Sequence, residues 1–162
     1  MDIEMIMERP YWIIDILPKR VPENSDGQYF KVEQYYLAKP HITVLREKFL
    51  EIILKLSCYY AVNISTDCGD NWIDTPDPDT LEKNIMNCVG ANCLYISTSS
   101  PECLITIDGC DTYMTVYDPD DELIDILKPI TDTAGLFMWR AYITWRYFND
   151  FRNRKTYSAS VY

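Results

Sequence analysis

The stretch CLITIDGCDTYMTVYD, from Cys103 to Asp118, decides the fold. Apolar and polar residues alternate on both sides of Asp108-Gly109, a dipeptide that favours the tight turn of a β-hairpin. Two strands joined by so short a turn pair in antiparallel fashion. The sheet that contains them is therefore expected to be at least partly antiparallel.

Further strands are predicted on both sides of this hairpin. Short apolar runs bounded by turn residues indicate strands at RPYWIIDILP (9–18), YYAVNIS (59–65), CLYIST (93–98) and LFMWRAYI (136–143). The segment QYFKVEQYYLA (28–38) is ambiguous, since it could also open a helix. The alternation of Phe30, Val32 and Gln34 favours an extended structure there.

Three helices are predicted, the longest of them from Pro40 to Cys58. Its apolar residues recur at three- and four-residue spacing, which is one face of a helix: Val44, Leu45, Phe49, Ile52, Ile53 and Leu56. The charged residues fall on the other face: Arg46, Glu47, Lys48, Glu51 and Lys55. A second helix is expected over 78–89, ended by Gly90, and a third from Pro119 towards Ala134.

The stretch VYDPDDELID (116–125) has the composition of a helix start. Asp118 is expected at the N-cap and Pro119 at the first helical position, while the acids that follow suit the positive end of the helix dipole. Asp77 and Pro78 repeat this arrangement for the second helix. Pro129 is expected to kink or end the third helix near 125–128, and Gly135 fits the left-handed residue beyond a helix end.

These elements predict one α+β domain over residues 1–162. We expect a mixed or largely antiparallel sheet of about five to six strands, with about three helices packed on it. Residues 1–7 are expected to be disordered. The aromatic and basic segment 140–162 is expected to dock either on the domain or on a second subunit. Docking on a second subunit would make the protein a homodimer.

Charge is distributed very unevenly along the chain. The net charge is −10, yet the region 67–125 has 14 acidic residues and one basic residue, Lys83, whereas 140–162 has a net charge of +4. An acidic protein of this kind is poorly suited to bind nucleic-acid phosphates or an anionic membrane. Aromatic and basic residues alternate in 140–162 and could stack on single-stranded nucleic acid, but the spacing of Trp145, Phe148 and Phe151 also fits a packed helix face.

The sequence predicts a cytoplasmic location. The start MDIEMIMERPYW has acids where a signal peptide needs lysine or arginine, and no window approaches a membrane-spanning apolar run. In that compartment the six cysteines are expected to be reduced.

No motif assigns a catalytic residue, a metal site or a cofactor. Asp67, Asp70 and Asp74 resemble a calcium loop only superficially, because the glycine is misplaced and no glutamate closes the loop. The chain has no Cys-x-x-Cys pair and one histidine, His41, with no nucleophile near it in sequence. Acids are so abundant in the sequence that carboxylate-pair chemistry is neither excluded nor specifically indicated.

The charge layout favours a non-catalytic protein-binding module, similar in type to inhibitor or immunity proteins, that engages a basic protein partner. The expected contact residues are the acids of the loops and helix starts: Asp70, Asp74, Asp77, Asp79, Asp118, Asp120, Asp121 and Glu122. The alternative is a small hydrolase that uses acidic side chains with or without a divalent cation. No nucleic-acid or membrane partner is predicted.

Overall fold

The computed structural model describes residues 2–22 and 27–141. In chain order the elements are α1 (Ile3–Met7), β1 (Tyr11–Asp15), α2 (Gln28–Leu37), α3 (His41–Leu56), β2 (Val62–Ser65), β3 (Ile73–Asp74), α4 (Pro78–Met86), β4 (Cys93–Ser99), β5 (Glu102–Asp108), β6 (Met114–Tyr117), α5 (Asp121–Thr133) and β7 (Phe137–Ala141). They form one α+β domain, as predicted.

All seven strands belong to one antiparallel sheet with the order β3-β2-β4-β5-β6-β1-β7. The hairpin predicted around Asp108-Gly109 is present: β5 pairs with β6, and Ile107 lies opposite Met114. The β4–β5 pair has the longest register in the sheet, from Cys93 opposite Asp108 to Ser99 opposite Glu102. Strands β4, β5 and β6 therefore form the centre of the sheet.

One face of the sheet packs against α3, α4 and α5. Alternate strand residues point into this core, among them Ile14, Ile64, Ile96, Ile105 and Val116, all of which are buried. The helix stripe predicted for α3 supplies Leu45, Phe49, Ile52, Ile53 and Leu56 to the same core, but Val44 is exposed. The predicted packing of helices on one face is thus confirmed for these three helices.

The second face of the sheet is rich in tyrosine. Tyr11 and Tyr117 lie directly opposite each other on β1 and β6, with their ring centroids 5.7 Å apart. Helix α1, which lies within the segment expected to be disordered, contacts β5, and its buried Ile6 is not part of the helix-side core. Because that core fills the first face, α1 covers part of the second.

Besides that for Val44, three local predictions are wrong for α2, α3 and the interior of α5. Residues 28–37 form helix α2, which contacts α3 and has no fully buried residue; only a half-buried stripe of Tyr29, Val32, Tyr36 and Leu37 follows the helical spacing. Arg46, predicted on the exposed face of α3, is completely buried. Helix α5 continues through Pro129. Both Pro129 and Asp125 are exposed, so the Asp125 carbonyl that loses its helical partner can bond to water.

Within the described residues no helix is both long and apolar enough to cross a membrane. The segment 142–162, with the predicted docking or dimerisation of its aromatic residues, lies outside the described residues.

Candidate functional site

The register of the sheet brings the starts of two helices to one end of the molecule. An unbroken row of paired residues runs from Tyr117 at the end of β6, across β5, β4 and β2, to Asp74 at the end of β3. Helix α4 follows β3 and helix α5 follows β6, so both helices begin at this end. We call it the acidic end and define it by Asp74, Asp77, Asp79, Asp118, Asp120, Asp121 and Glu122.

Asp70, the remaining predicted contact residue, lies elsewhere. It belongs to the loop that leaves β2 after Ser65, and Ser65 is at the other end of that strand. Sequence reasoning therefore grouped Asp70 with the other acids, whereas the structure separates it from them.

Two of these aspartates are helix caps. The Asp77 carboxylate accepts a hydrogen bond from the Thr80 backbone N–H at 2.7 Å, and the Asp120 carboxylate accepts one from the Leu123 N–H at 2.8 Å. The hydrogen bonds from Thr80 hold the pKa of Asp77 below its usual value. A cap uses one carboxylate oxygen, so both residues keep a negative charge and a second oxygen for another partner.

The predicted cap at Asp118 is wrong. Asp118 has a left-handed backbone (φ 54°), and its carboxylate forms an ion pair with Arg9. Its backbone N–H donates to the Pro10 carbonyl at 3.0 Å, so the residue joins the start of β1 to the end of β6. The helix begins instead with Asp120 as its cap. Because Arg9 offsets its charge, Asp118 contributes least to the field of the acidic end.

The other four acids are exposed on the surface. Asp74, Asp79, Asp121 and Glu122 form no salt bridge within residues 2–22 and 27–141. Asp79, Asp121 and Glu122 lie in the first turns of their helices, where the helix dipole stabilises negative charge. Among the described residues, these four carboxylates are therefore solvated and have no ion-pair partner.

An apolar groove lies beside the acidic end. It has a volume of about 360 Å³ and is lined by Tyr59, Asp125, Ile126, Pro129, Ile130 and Thr133. Tyr59 is 65% exposed, although it is a large aromatic residue. In the neighbouring residue Tyr60, burial and the charges of Glu122 and Asp120 raise the pKa of the phenol.

Of the three aspartates that resembled a calcium loop, Asp67 is held by local hydrogen bonds. The Asp67 carboxylate accepts hydrogen bonds from Ser65 Oγ at 2.7 Å, and from the backbone N–H and side-chain amide of Asn71 at 2.9 and 2.6 Å. These bonds lower the pKa of Asp67 to about 2. Across the described part of the chain, no group of three or more histidine, cysteine or acidic side chains is placed to hold a metal ion.

The single histidine packs against an aromatic ring. The imidazole of His41 stacks on Tyr35, with ring centroids 3.9 Å apart, and lines a shallow depression of about 200 Å³ with Val44 and Lys48. None of the hydrogen bonds seen among the described residues joins this imidazole to a hydroxyl, thiol or carboxylate.

Two buried charges at the opposite end of the sheet were missed in the sequence. Asp15, at the end of β1, is only 6% exposed, and burial raises the pKa of its carboxyl to about 6. The backbone N–H groups of Ile16 and Leu17 partly oppose that shift, while the charge of Glu33 adds to it. The sequence signal that could have identified this buried carboxyl is an acidic residue inside the apolar run WIIDIL (12–17).

Arg46 is the second buried charge. Its guanidinium donates to the carbonyl of Cys88 at 2.7 Å and to that of Asp108 at 3.1 Å, with longer bonds to Gly109 and Asp111. It also lies 5.1 Å from the centre of the Phe49 ring. Arg46 therefore ties α3 to the end of α4 and to the β5–β6 turn, a contact between distant segments that no local pattern reveals.

In comparisons with known proteins, no family model matches this chain, and no curated protein or solved structure matches it either.

Proposed function

We propose that the protein is a non-catalytic binding module that engages a basic protein partner through the acidic end and the groove beside it. The observation that carries this proposal is the shared register of β3 and β6, which places the acidic starts of α4 and α5 at one end of the sheet.

The dimensions of this surface suit a protein rather than a small ion. Four strand intervals separate β3 from β6, which corresponds to about 19 Å at the usual strand spacing. A standard interface of about 800 Å² on each partner spans such a distance. Carboxylates spread over this width match several lysine or arginine side chains on one partner.

The groove supplies the apolar part of the interface. Charges at the rim of an interface accelerate association and select the partner, whereas buried apolar anchors provide most of the affinity. Tyr59, Ile126 and Ile130 offer such an anchor site next to the acids. The expected partner segment therefore combines basic residues with one large apolar side chain. The cytoplasmic location predicted from the sequence remains part of this proposal.

The test begins with capture of partners from the source organism's lysate at low salt, with elution as the salt concentration rises. The captured basic protein is then titrated against matched variants. Asp77→Asn, Asp79→Asn, Asp120→Asn and Asp121→Asn are combined, because asparagine preserves the caps while it removes four charges. The control removes four exposed charges elsewhere: Glu4→Gln, Glu47→Gln, Asp70→Asn and Asp132→Asn.

At low salt we expect the first variant to lose about tenfold or more in affinity, whereas the control changes little. Tyr59→Ala should weaken binding at high salt as well, because its contribution is apolar. Equal losses in both charge variants would show that only net charge matters and would contradict a site at the acidic end.

For the alternative function, a small hydrolase, the best candidate for the catalytic acid or base is Asp15 rather than an aspartate of the acidic loops. A buried carboxyl with a pKa of about 6 can exchange a proton near neutral pH. Hydrolysis of model ester and phosphoester substrates, abolished by Asp15→Asn and retained by Asp132→Asn, would favour this function over the binding module. For the metal-dependent form, Mg²⁺, Mn²⁺ or Ca²⁺ should raise the melting temperature.

A further inference from the structure

Two cysteines from separate elements meet at the beginning of β4. Cys93 is the first residue of this strand, and Cys68 lies in the loop between β2 and β3. Their Sγ atoms are 3.5 Å apart. Cys68 also contacts Tyr95, the next residue on the same face of β4, so its sulfur lies beside that strand although the residue is exposed.

The loop holds Cys68 in place through its own hydrogen bonds. Cys68 has a left-handed backbone with φ 60°. On one side Asp67 bonds to Asn71, and on the other the Gly69 N–H donates to Ser65 Oγ at 3.0 Å. Gly69 has no room for a side chain larger than its hydrogen without displacing Ile3, whose Cγ1 would lie 3.0 Å from an added Cβ. Hydrogen bonds within the loop therefore hold the backbone around Cys68 where its sulfur lies 3.5 Å from that of Cys93.

The other four cysteines have different surroundings. Cys88 and Cys103 are buried, and burial raises the pKa of each thiol to about 12, so neither forms a thiolate readily. The Cys110 thiol donates to the Gly90 carbonyl at 2.9 Å, and the Cys58 thiol donates to that of Leu54 at 3.5 Å.

We propose that Cys68 and Cys93 are a redox-sensitive pair that forms a reversible disulfide with oxidised low-molecular-weight thiols of the glutathione class. The exposed Cys68 thiolate attacks the oxidant's disulfide, forms a mixed disulfide and releases one small thiol. The half-buried Cys93 thiolate then attacks the Cys68 sulfur and releases the second. Two electrons pass to the oxidant, and the two protons lost by the cysteines protonate the released thiols.

The bond would close a segment that contains β3 and α4, since the two cysteines are 25 positions apart. Restriction of that segment in the unfolded chain is the main source of stabilisation by a disulfide. For a loop of this length and a chain of this size, we expect the melting temperature to rise by roughly 5–10 °C on oxidation. This inference does not depend on the proposed binding function.

The full chain is incubated with excess oxidised glutathione. We then measure the intact mass of the protein, the number of thiols that remain under denaturing conditions, and the melting temperature. We expect the loss of two thiols without a retained glutathione, and full recovery after reduction. Cys93→Ser should trap glutathione on Cys68, and Cys68→Ser should leave Cys93 largely unmodified. The matched control Cys58→Ser should behave like the wild-type chain.

Three results would overturn the proposal. One is stable glutathione adducts in the wild-type chain with no internal disulfide. Another is the loss of two thiols in both Cys68→Ser and Cys93→Ser, which would assign the bond to other cysteines. The third is a disulfide that joins two chains, recognised by doubling of the mass under non-reducing conditions.

Discussion

The two ends of the sheet place charged residues in opposite environments. At the acidic end, Asp79, Asp121 and Glu122 are exposed, and the aspartates at the helix starts keep one carboxylate oxygen available. At the opposite end, Arg46 and Asp15 are buried; the Arg46 guanidinium donates to backbone carbonyls, and Asp15 Oδ1 has no hydrogen-bond partner among the described residues. A solvated charge costs the fold little and remains available to a partner, whereas a buried charge must be satisfied by the fold itself. We therefore expect substitutions at the acidic end to affect binding and those at the opposite end to affect stability.

The largest effect is expected for Arg46→Met. Methionine fills part of the space but donates no hydrogen bonds, so the carbonyls of Cys88 and Asp108 lose a buried partner. The free energy of unfolding should fall by about 3–5 kcal/mol, measured by urea denaturation. The matched control is Lys55→Met on the same helix, whose exposed ion pair with Glu51 should contribute less than about 0.5 kcal/mol. A similar loss in both variants would contradict a structural role for the buried guanidinium.

Asp15→Asn should stabilise the protein, and the gain should depend on pH. The pKa of Asp15 rises from 3.8 to about 6 on folding, so the folded state favours the protonated form. The wild-type chain should therefore lose stability relative to the variant as the pH rises from 3.8 to 6. Above that range the difference should reach on the order of 3 kcal/mol at most. Melting curves of both chains between about pH 3 and about pH 7, which extends roughly one unit beyond each end of this window, measure this difference. With the exposed control Asp132→Asn the difference should stay nearly constant, and a flat difference for Asp15→Asn would contradict the raised pKa.

The smallest of these effects separates the cap at the acidic end from its charge. Asp120→Ala removes the acceptor for the Leu123 N–H and should lower the free energy of unfolding by about 1 kcal/mol. Asp120→Asn keeps an oxygen acceptor and should leave stability nearly unchanged while it removes the charge. Urea denaturation of both variants provides the measurement. An equal loss for alanine and asparagine would show that charge, rather than the cap, stabilises the start of α5.

Sequence reasoning worked where one local pattern was enough. The alternating residues around Asp108-Gly109 identified the β5–β6 hairpin, and the spacing of Phe49, Ile52 and Leu56 identified α3. The cap at Asp77 was also predicted, because Asp-Pro at a helix start satisfies two local requirements at once. It failed for α2, where Phe30 and Tyr35 are exposed and the stripe at helical spacing is only half-buried.

The start of α5 shows why local rules can be insufficient even when the motif is recognised. DPDD offers several residues that could cap the helix, and propensity alone does not select one of them. The ion pair between Asp118 and Arg9, 109 positions apart in the chain, occupies the first aspartate and leaves Asp120 as the cap. A similar argument applies to Arg46, whose acceptors lie 42 to 65 positions away.

The sequence by itself determined the α+β class, the antiparallel hairpin, the main helix and the excess of acid in the middle of the chain, because each follows from composition or from spacing within one element. Only the tertiary structure decided which acids share a surface, that Arg46 and Asp15 are buried, and that Cys68 lies 3.5 Å from Cys93. The physical reason is that strand register and helix packing bring together residues far apart in the chain, and the environment that sets a side chain's charge or reactivity comes from those neighbours.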